Sequence, residues 1–224
     1  MRTEYQRRQD AKELKTWLYC QQLSEDELYP LLENKDHSLR YAAARRLQLM
    51  GSDPILAQAK QRCHDKNYRT REVACFILGQ IKTAKSNVSD IMAFLDSCAV
   101  NDITAIVRAS AIIAMGQLFS NHSADKALWA TLKHRCTQAI DSPFVTVRHA
   151  VACALIYHAD DSIMPLLIRL LRDNHGEVRS WAGCAINGNG YDLPELHEIF
   201  REMLTDEHGG ARYEAEMWFE EHNK

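Results

Sequence analysis

The stretch Asp173–Ile186, DNHGEVRSWAGCAI, decides the fold because the chain writes it repeatedly. DSPFVTVRHAVACAL begins at Asp141, DITAIVRASAIIAM at Asp102 and DKNYRTREVACFIL at Asp65. Each has an acidic residue, a short polar stretch, an arginine, a small residue and an apolar run. Aligned on the arginine there are six copies, at Arg40, Arg71, Arg108, Arg148, Arg179 and Arg212, spaced 31, 37, 40, 31 and 33 residues apart. A pattern written this often reads as architecture and not as an active site.

Three residues after each arginine stands Ala43, Ala74, Ala111, Val151, Ala182 or Ala215, and seven after stands Leu47, Leu78, Met115, Leu155, Ile186 or Phe219. The preceding residue is Leu39, Val107, Val147 or Val178 in four copies, with Thr70 and Ala211 departing. Offsets of −1, +3 and +7 fall on one helical face, so each copy contains an amphipathic helix. The small residue at +3 lets a neighbouring helix approach closely.

Asp65, Asp102, Asp173 and Asp206 lie six residues before their arginines, Asp141 seven and Asp36 four. This is turn and N-cap territory, where a carboxylate accepts orphan backbone N–H groups. The arginine then falls in the first turns of its helix, where the macrodipole disfavours a cation. A carboxylate of the same or the adjacent copy is the expected compensation. The pattern therefore predicts a structural ladder built from Asp65, Arg71, Asp102, Arg108, Asp141, Arg148, Asp173, Arg179, Asp206 and Arg212.

Other helices fill the gaps. SEDELYPLLEN from Ser24 carries the capping-box pattern with Glu27, and DPILAQAKQRC from Asp53 has proline in its first turn. SDIMAFLDSC, DKALWATLKHRC, DDSIMPLLIRLL and DLPELHEIFREML occupy the corresponding slots. Few glycines and prolines (9 and 5 in 224 residues) also favour helix. The predicted fold is all-α: an α-solenoid of about six helix pairs plus an N-terminal helix. One domain spans 1–224, with a capping helix at 1–22 and repeats at 23–51, 52–82, 86–119, 122–158, 160–188 and 191–222.

The D…(V)R..A….L pattern resembles HEAT repeats, particularly the short bacterial type named after phycobilisome lyases. The resemblance covers residues 24–222. It implies fold more strongly than function, because similar solenoids serve as scaffolds, lyases, hydroxylases and DNA-repair enzymes.

Catalytic signatures are few. A HEAT-like hydroxylase would need repeated His-Glu pairs to hold iron; this chain has one, His197-Glu198. No GxSxG or glycine-rich phosphate loop is present, and Gly188 and Gly190 read as C-cap and turn residues. The seven cysteines (20, 63, 75, 98, 136, 153 and 184) form no CxxC pair and read as small buried hydrophobes in a reducing compartment. The expected inventory is no catalytic residue, no metal and no cofactor. The polar N-terminus and the lack of a long apolar run predict a cytoplasmic protein with no membrane partner.

Charge shapes the choice of partner. Residues 1–85 hold 16 Lys+Arg against 11 Asp+Glu, and residues 86–224 hold 11 against 19, so a basic end faces an acidic one. A net charge of −3 makes nucleic acid an unsuitable partner. HEAT-like alkylpurine DNA glycosylases, whose resemblance would place Trp181 in a basic groove, remain the enzymatic alternative.

In HEAT solenoids the second helix of each pair lines the concave face. Positions +1, +2 and +5, outside the core stripe, supply Tyr41, Arg45, Phe76, His149, Trp181, Tyr213 and Met217, with Glu214 beside them. Large aromatics and methionine there point to protein binding, and the acidic neighbours select a basic partner. At about 10 Å per stacked pair the arc is on the order of 60 Å long. The chain also looks like small enterobacterial HEAT proteins encoded beside Rhs polymorphic toxins. That similarity implies an immunity protein, monomeric until it binds a basic toxin domain. A lyase- or chaperone-type scaffold is the other non-catalytic reading.

Overall fold

A computed structural model describes residues 4–222 except 157 and 159, with side chains from Asp10 onward. Residues 1–3 of the expected capping helix, residue 157 of the expected repeat 122–158 and residue 159 between that repeat and the next lie outside the described residues. Among the described residues there are thirteen α-helices and no strand. The N-terminal helix is α1 (Glu4–Gln21). The first helices of the pairs are α2 (Glu25–Leu28, continued by the 3₁₀ turn Tyr29–Glu33), α4 (Asp53–Arg62), α6 (Val88–Asn101), α8 (Lys126–Ala139), α10 (Met164–Leu171) and α12 (Pro194–Met203). The second helices are α3 (His37–Met50), α5 (Tyr68–Gln80), α7 (Ala105–Ser120), α9 (Val145–Ala154), α11 (Gly176–Asn189) and α13 (Gly209–His222). The fold is an all-α solenoid.

Local chemistry sets the helix starts. The Ser24 N–H donates to the Glu27 carboxylate at 2.9 Å, and Ser52 Oγ accepts the Ile55 N–H at 3.2 Å, with Pro54 in the first turn. Asp125 caps α8 through the N–H groups of Ala127 and Leu128. At the other end of α11, Gly190 takes the left-handed conformation, φ 67°, that ends a helix without Cβ strain. Gly188 is not a cap, because α11 runs through it to Asn189.

The stripe at −1, +3 and +7 is the core. All its members are buried except Leu39 and Phe219, which are partly covered at the ends of the stack. The second helices stack on one another along the whole chain, each packed against the next. A Cβ at Gly79 would sit 2.7 Å from Ala114 Cα, and one at Gly116 would sit 2.7 Å from Ala154 Cα. Here α5, α7 and α9 approach backbone to backbone. Contacts between successive first helices are sparser, so the second-helix layer is the more tightly packed one. It is the layer expected to form the inner face.

Polar bonds interlock the layer. Ser110 Oγ donates to the Glu72 carbonyl at 2.9 Å, and Asn187 Nδ2 donates to the Glu214 carbonyl at 3.0 Å. At the C-terminal end Trp218 is fully buried, stacked on Phe200 at 5.0 Å, and its Nε1 donates to the Tyr191 carbonyl.

Candidate functional site

The repeated arginines have one common role and one that varies. In every copy Nη1 donates to a carbonyl six residues back in its own turn: Asn34, Asp65, Asp102, Ser142, Asp173 and Asp206 for Arg40, Arg71, Arg108, Arg148, Arg179 and Arg212. Three arginines also reach the next repeat. Arg71 binds Asp102 in a fork, with Nε–Oδ2 at 2.6 Å and Nη2–Oδ1 at 3.0 Å. Arg148 binds Asp173 and Arg179 binds Asp206 in the same way, each with Nε–Oδ2 at 2.6 Å. These six side chains are at least four-fifths covered, which makes the pairs unlike solvated surface bridges.

The carboxylates have a second job, but not as N-caps. Asp102 Oδ1 accepts the Thr104 N–H, Asp173 Oδ1 that of His175 and Asp206 Oδ1 that of His208, each two residues on. The capping position falls at Thr104 and His175, so the acidic residue closes the turn before the helix. Only Asp36, four residues before its arginine, is itself an N-cap. Burial works against ionisation of Asp102 and Asp173, but the arginine and turn bonds outweigh it and both carboxyls titrate below their ordinary value. Asp206 is lowered first by Arg179.

Four members of the expected ladder do not form the rungs assigned to them. Asp141 is one residue out of register: Ser142 occupies the turn position, its Oγ accepting the Phe144 N–H, while Asp141 pairs with Arg169 in solvent. Arg108 therefore meets no carboxylate there and lies over the Phe144 ring at 5.0 Å. Asp65 spends its carboxylate on the Asn67 N–H, and Arg40, though buried, leaves Nε without a partner. Arg212 Nη1 holds the carbonyls of Asp206 and Glu207, and among the described residues no carboxylate pairs with it. At the other end Lys12 of α1 takes the arginine's place, 2.8 Å from Asp36.

The side chains expected on the inner face fall into two groups. At the N-terminal end Tyr41, Arg45 and Phe76 line a groove of about 620 Å³ with Leu14 and Trp17 of α1, and Asp10 and Glu13 supply negative charge. Tyr41 and Phe76 are half-buried: their rings are 4.9 Å apart, and the Tyr41 hydroxyl donates to Glu72. Arg45 is exposed over the Trp17 ring. At the C-terminal end Trp181 is 36% and Tyr213 56% exposed. Trp181 stands edge-on to His149 at 5.4 Å, and its Nε1 donates to Glu177. His149, Glu214 and Met217 are half-buried, and burial raises the Glu214 carboxyl while lowering His149.

Two features escaped the sequence reading. Tyr68, Ile106 and Phe144, from three consecutive repeats, are exposed at the starts of α5, α7 and α9, and Ile103 nearby is 89% exposed. They lie at −3, −2 and −4 from their arginines, so no single offset marks the ridge. The second feature is a cysteine cluster. Cys63, Cys75 and Cys98 bring their sulfurs within 4.8 Å of one another, which makes them the one group among the described residues with the geometry to hold a metal ion. The separations in sequence conceal it.

No protein-family model matches the chain. It is, however, 37% identical over 215 residues to Protein YibA of Escherichia coli K12, an alignment spanning 96% of this chain and 76% of YibA. The chain belongs to the YibA family. The X-ray structure of E. coli YibA superposes with a TM-score of 0.82 at 36% identity, covering 93% of this chain and 74% of that one. More distant likenesses concern the fold alone. The complex of CpcE and CpcF of phycocyanin lyase from Nostoc matches at TM-score 0.55 and 20% identity, over 86% of this chain and 74% of that one. The S. pombe condensin Cnd3–Cnd2 subcomplex matches at 0.66 and 19%, over 88% of this chain and 28% of that one.

Proposed function

We propose that this YibA-family solenoid is a non-catalytic protein binder that grips its partner along the inner face. The observation that carries the reading is the exposure of Trp181 and Tyr213 on successive inner helices, beside acidic Glu177, Glu216 and Glu220. Aromatic side chains dominate interface energetics, and flanking carboxylates favour a basic partner and speed its encounter. The N-terminal groove at Tyr41 and Phe76 extends that surface. Two fold neighbours, the phycocyanin-lyase and condensin structures, are themselves multi-protein complexes.

The finer reading is an immunity role, in which the solenoid covers a basic Rhs-type toxin domain in the cytoplasm. It rests on the resemblance to Rhs-adjacent HEAT proteins together with the acidic C-terminal half. Affinity capture from the native cell at two salt concentrations tests both levels. The expected result is one stoichiometric protein, lost with Trp181→Glu and with Tyr213→Glu while their melting temperatures stay unchanged. A toxin fragment as that protein supports immunity, and another identity sinks it. Recovery of nucleic acid that washes away with salt, in place of a protein, overturns the binder and returns the glycosylase.

A further inference from the structure

The cysteine triad joins three helices. Cys63 is the C-cap of α4, Cys75 lies in the middle of α5 and Cys98 lies in the last turn of α6. Cys63 and Cys75 are buried, with sulfurs 3.9 Å apart, and Cys98 is half-buried. A Zn–S bond is about 2.3 Å, so three thiolates forming one face of a tetrahedron are spaced by roughly 3.8 Å. The triad is already close to that spacing. It is also well beyond the ~2.05 Å of a disulfide, so the cysteines stand as three separate ligand atoms.

The surroundings suit a thiophilic cation. Arg71, four residues before Cys75 on α5, is already paired with Asp102, so that pair adds no net charge beside the sulfurs. Cys98 is the solvent-facing member of the three.

We propose that Cys63, Cys75 and Cys98 form a binding site for a soft d¹⁰ cation of the zinc class, clamping the second repeat to the third. Binding is independent of the inner face and of any protein partner. Two or three thiol protons leave as the metal–sulfur bonds form, with no change of redox state.

Reduced, chelator-washed full chain is titrated with Cd²⁺ and with Zn²⁺. The expected result is a thiolate-to-cadmium charge-transfer band in the ultraviolet that saturates at one equivalent. Zinc at 100-fold above Kd should raise the melting temperature by about 5–10 °C. Cys98→Ser, at the half-exposed edge, should weaken binding at least tenfold, while Cys184→Ser on α11 leaves it unchanged. No saturable band in the wild type overturns the site without reference to any variant. A band that survives Cys98→Ser, or disappears with Cys184→Ser, overturns it equally.

Discussion

Arg148 and Asp173, 25 residues apart in sequence, meet in a two-pronged pair with Nε–Oδ2 at 2.6 Å and Nη2–Oδ1 at 2.9 Å. The same arginine holds the Ser142 carbonyl of its own turn, and the same carboxylate holds the His175 N–H of the next. One ion pair thus fixes two turns and the offset between two repeats. This resolves the apparent misplacement of a cation near a helix N-terminus: its charge is answered by the neighbouring turn, outside its own helix.

Removing an arginine that makes such a pair should cost far more than removing one that does not. Arg179→Ala leaves the covered Asp206 carboxylate without its guanidinium and is expected to lose about 3 kcal/mol, roughly 6–12 °C in melting temperature. Arg108→Ala removes a carbonyl bond and the contact with Phe144, worth about 1 kcal/mol. Urea denaturation of the two variants checks the ranking. Equal losses would show that the carboxylate pairs do not stabilise the stack.

Acid should loosen the stack through the same carboxylates. Asp102, Asp173 and Asp206 all titrate lower in the folded chain than in the unfolded one. Their stabilisation is therefore fully present above about pH 4, the ordinary carboxyl value, and is lost as pH falls through their folded values. Glu214, raised by burial, has the opposite sign but is one group against three. Stability measured from pH 6 downward should fall, and Asp173→Asn, already weaker at pH 6, should fall less steeply.

The tight inner spacing predicts an unusual cost for small substitutions. Alanine normally gains about 1 kcal/mol over glycine inside a helix. At Gly116 the new Cβ would lie 2.7 Å from both the Cα and the carbonyl oxygen of Ala154, which are backbone atoms that cannot swing aside. Gly116→Ala is thus expected to destabilise by about 1–3 kcal/mol in thermal or chemical unfolding. A stabilised variant would mean that α7 and α9 can separate freely.

The sequence carries the solenoid plainly, because one helical face of each repeat is stated six times over: Val107, Ala111 and Met115 are legible from their spacing and are indeed buried. Register within a turn is less legible. Asp141 resembles the other turn acids, yet one residue of displacement puts it in solvent, because a turn has a fixed number of backbone positions. The cysteine cluster was hidden for a different reason. Cys63, Cys75 and Cys98 meet only after three helices pack, and their separations encode nothing local. Exposure on the inner face depends on curvature, so Phe76 and Tyr213 look alike in sequence while one is half-buried and the other open.

The displaced Asp141 invites a repair. Ser142 stands where Asp102, Asp173 and Asp206 stand in their own turns: six residues before the next arginine, with its side chain accepting an N–H two residues on. Ser142→Asp keeps that turn bond and offers Arg108 the carboxylate it lacks, completing the rung between the third and fourth repeats. The expected gain is about 1 kcal/mol, because the guanidinium must leave the Phe144 ring to make the pair. The gain should vanish when Arg108→Ala is added, which separates a new ion pair from a merely better turn. A Ser142→Asp chain that is stabilised equally with and without Arg108 would place the benefit in the turn and not in the ladder.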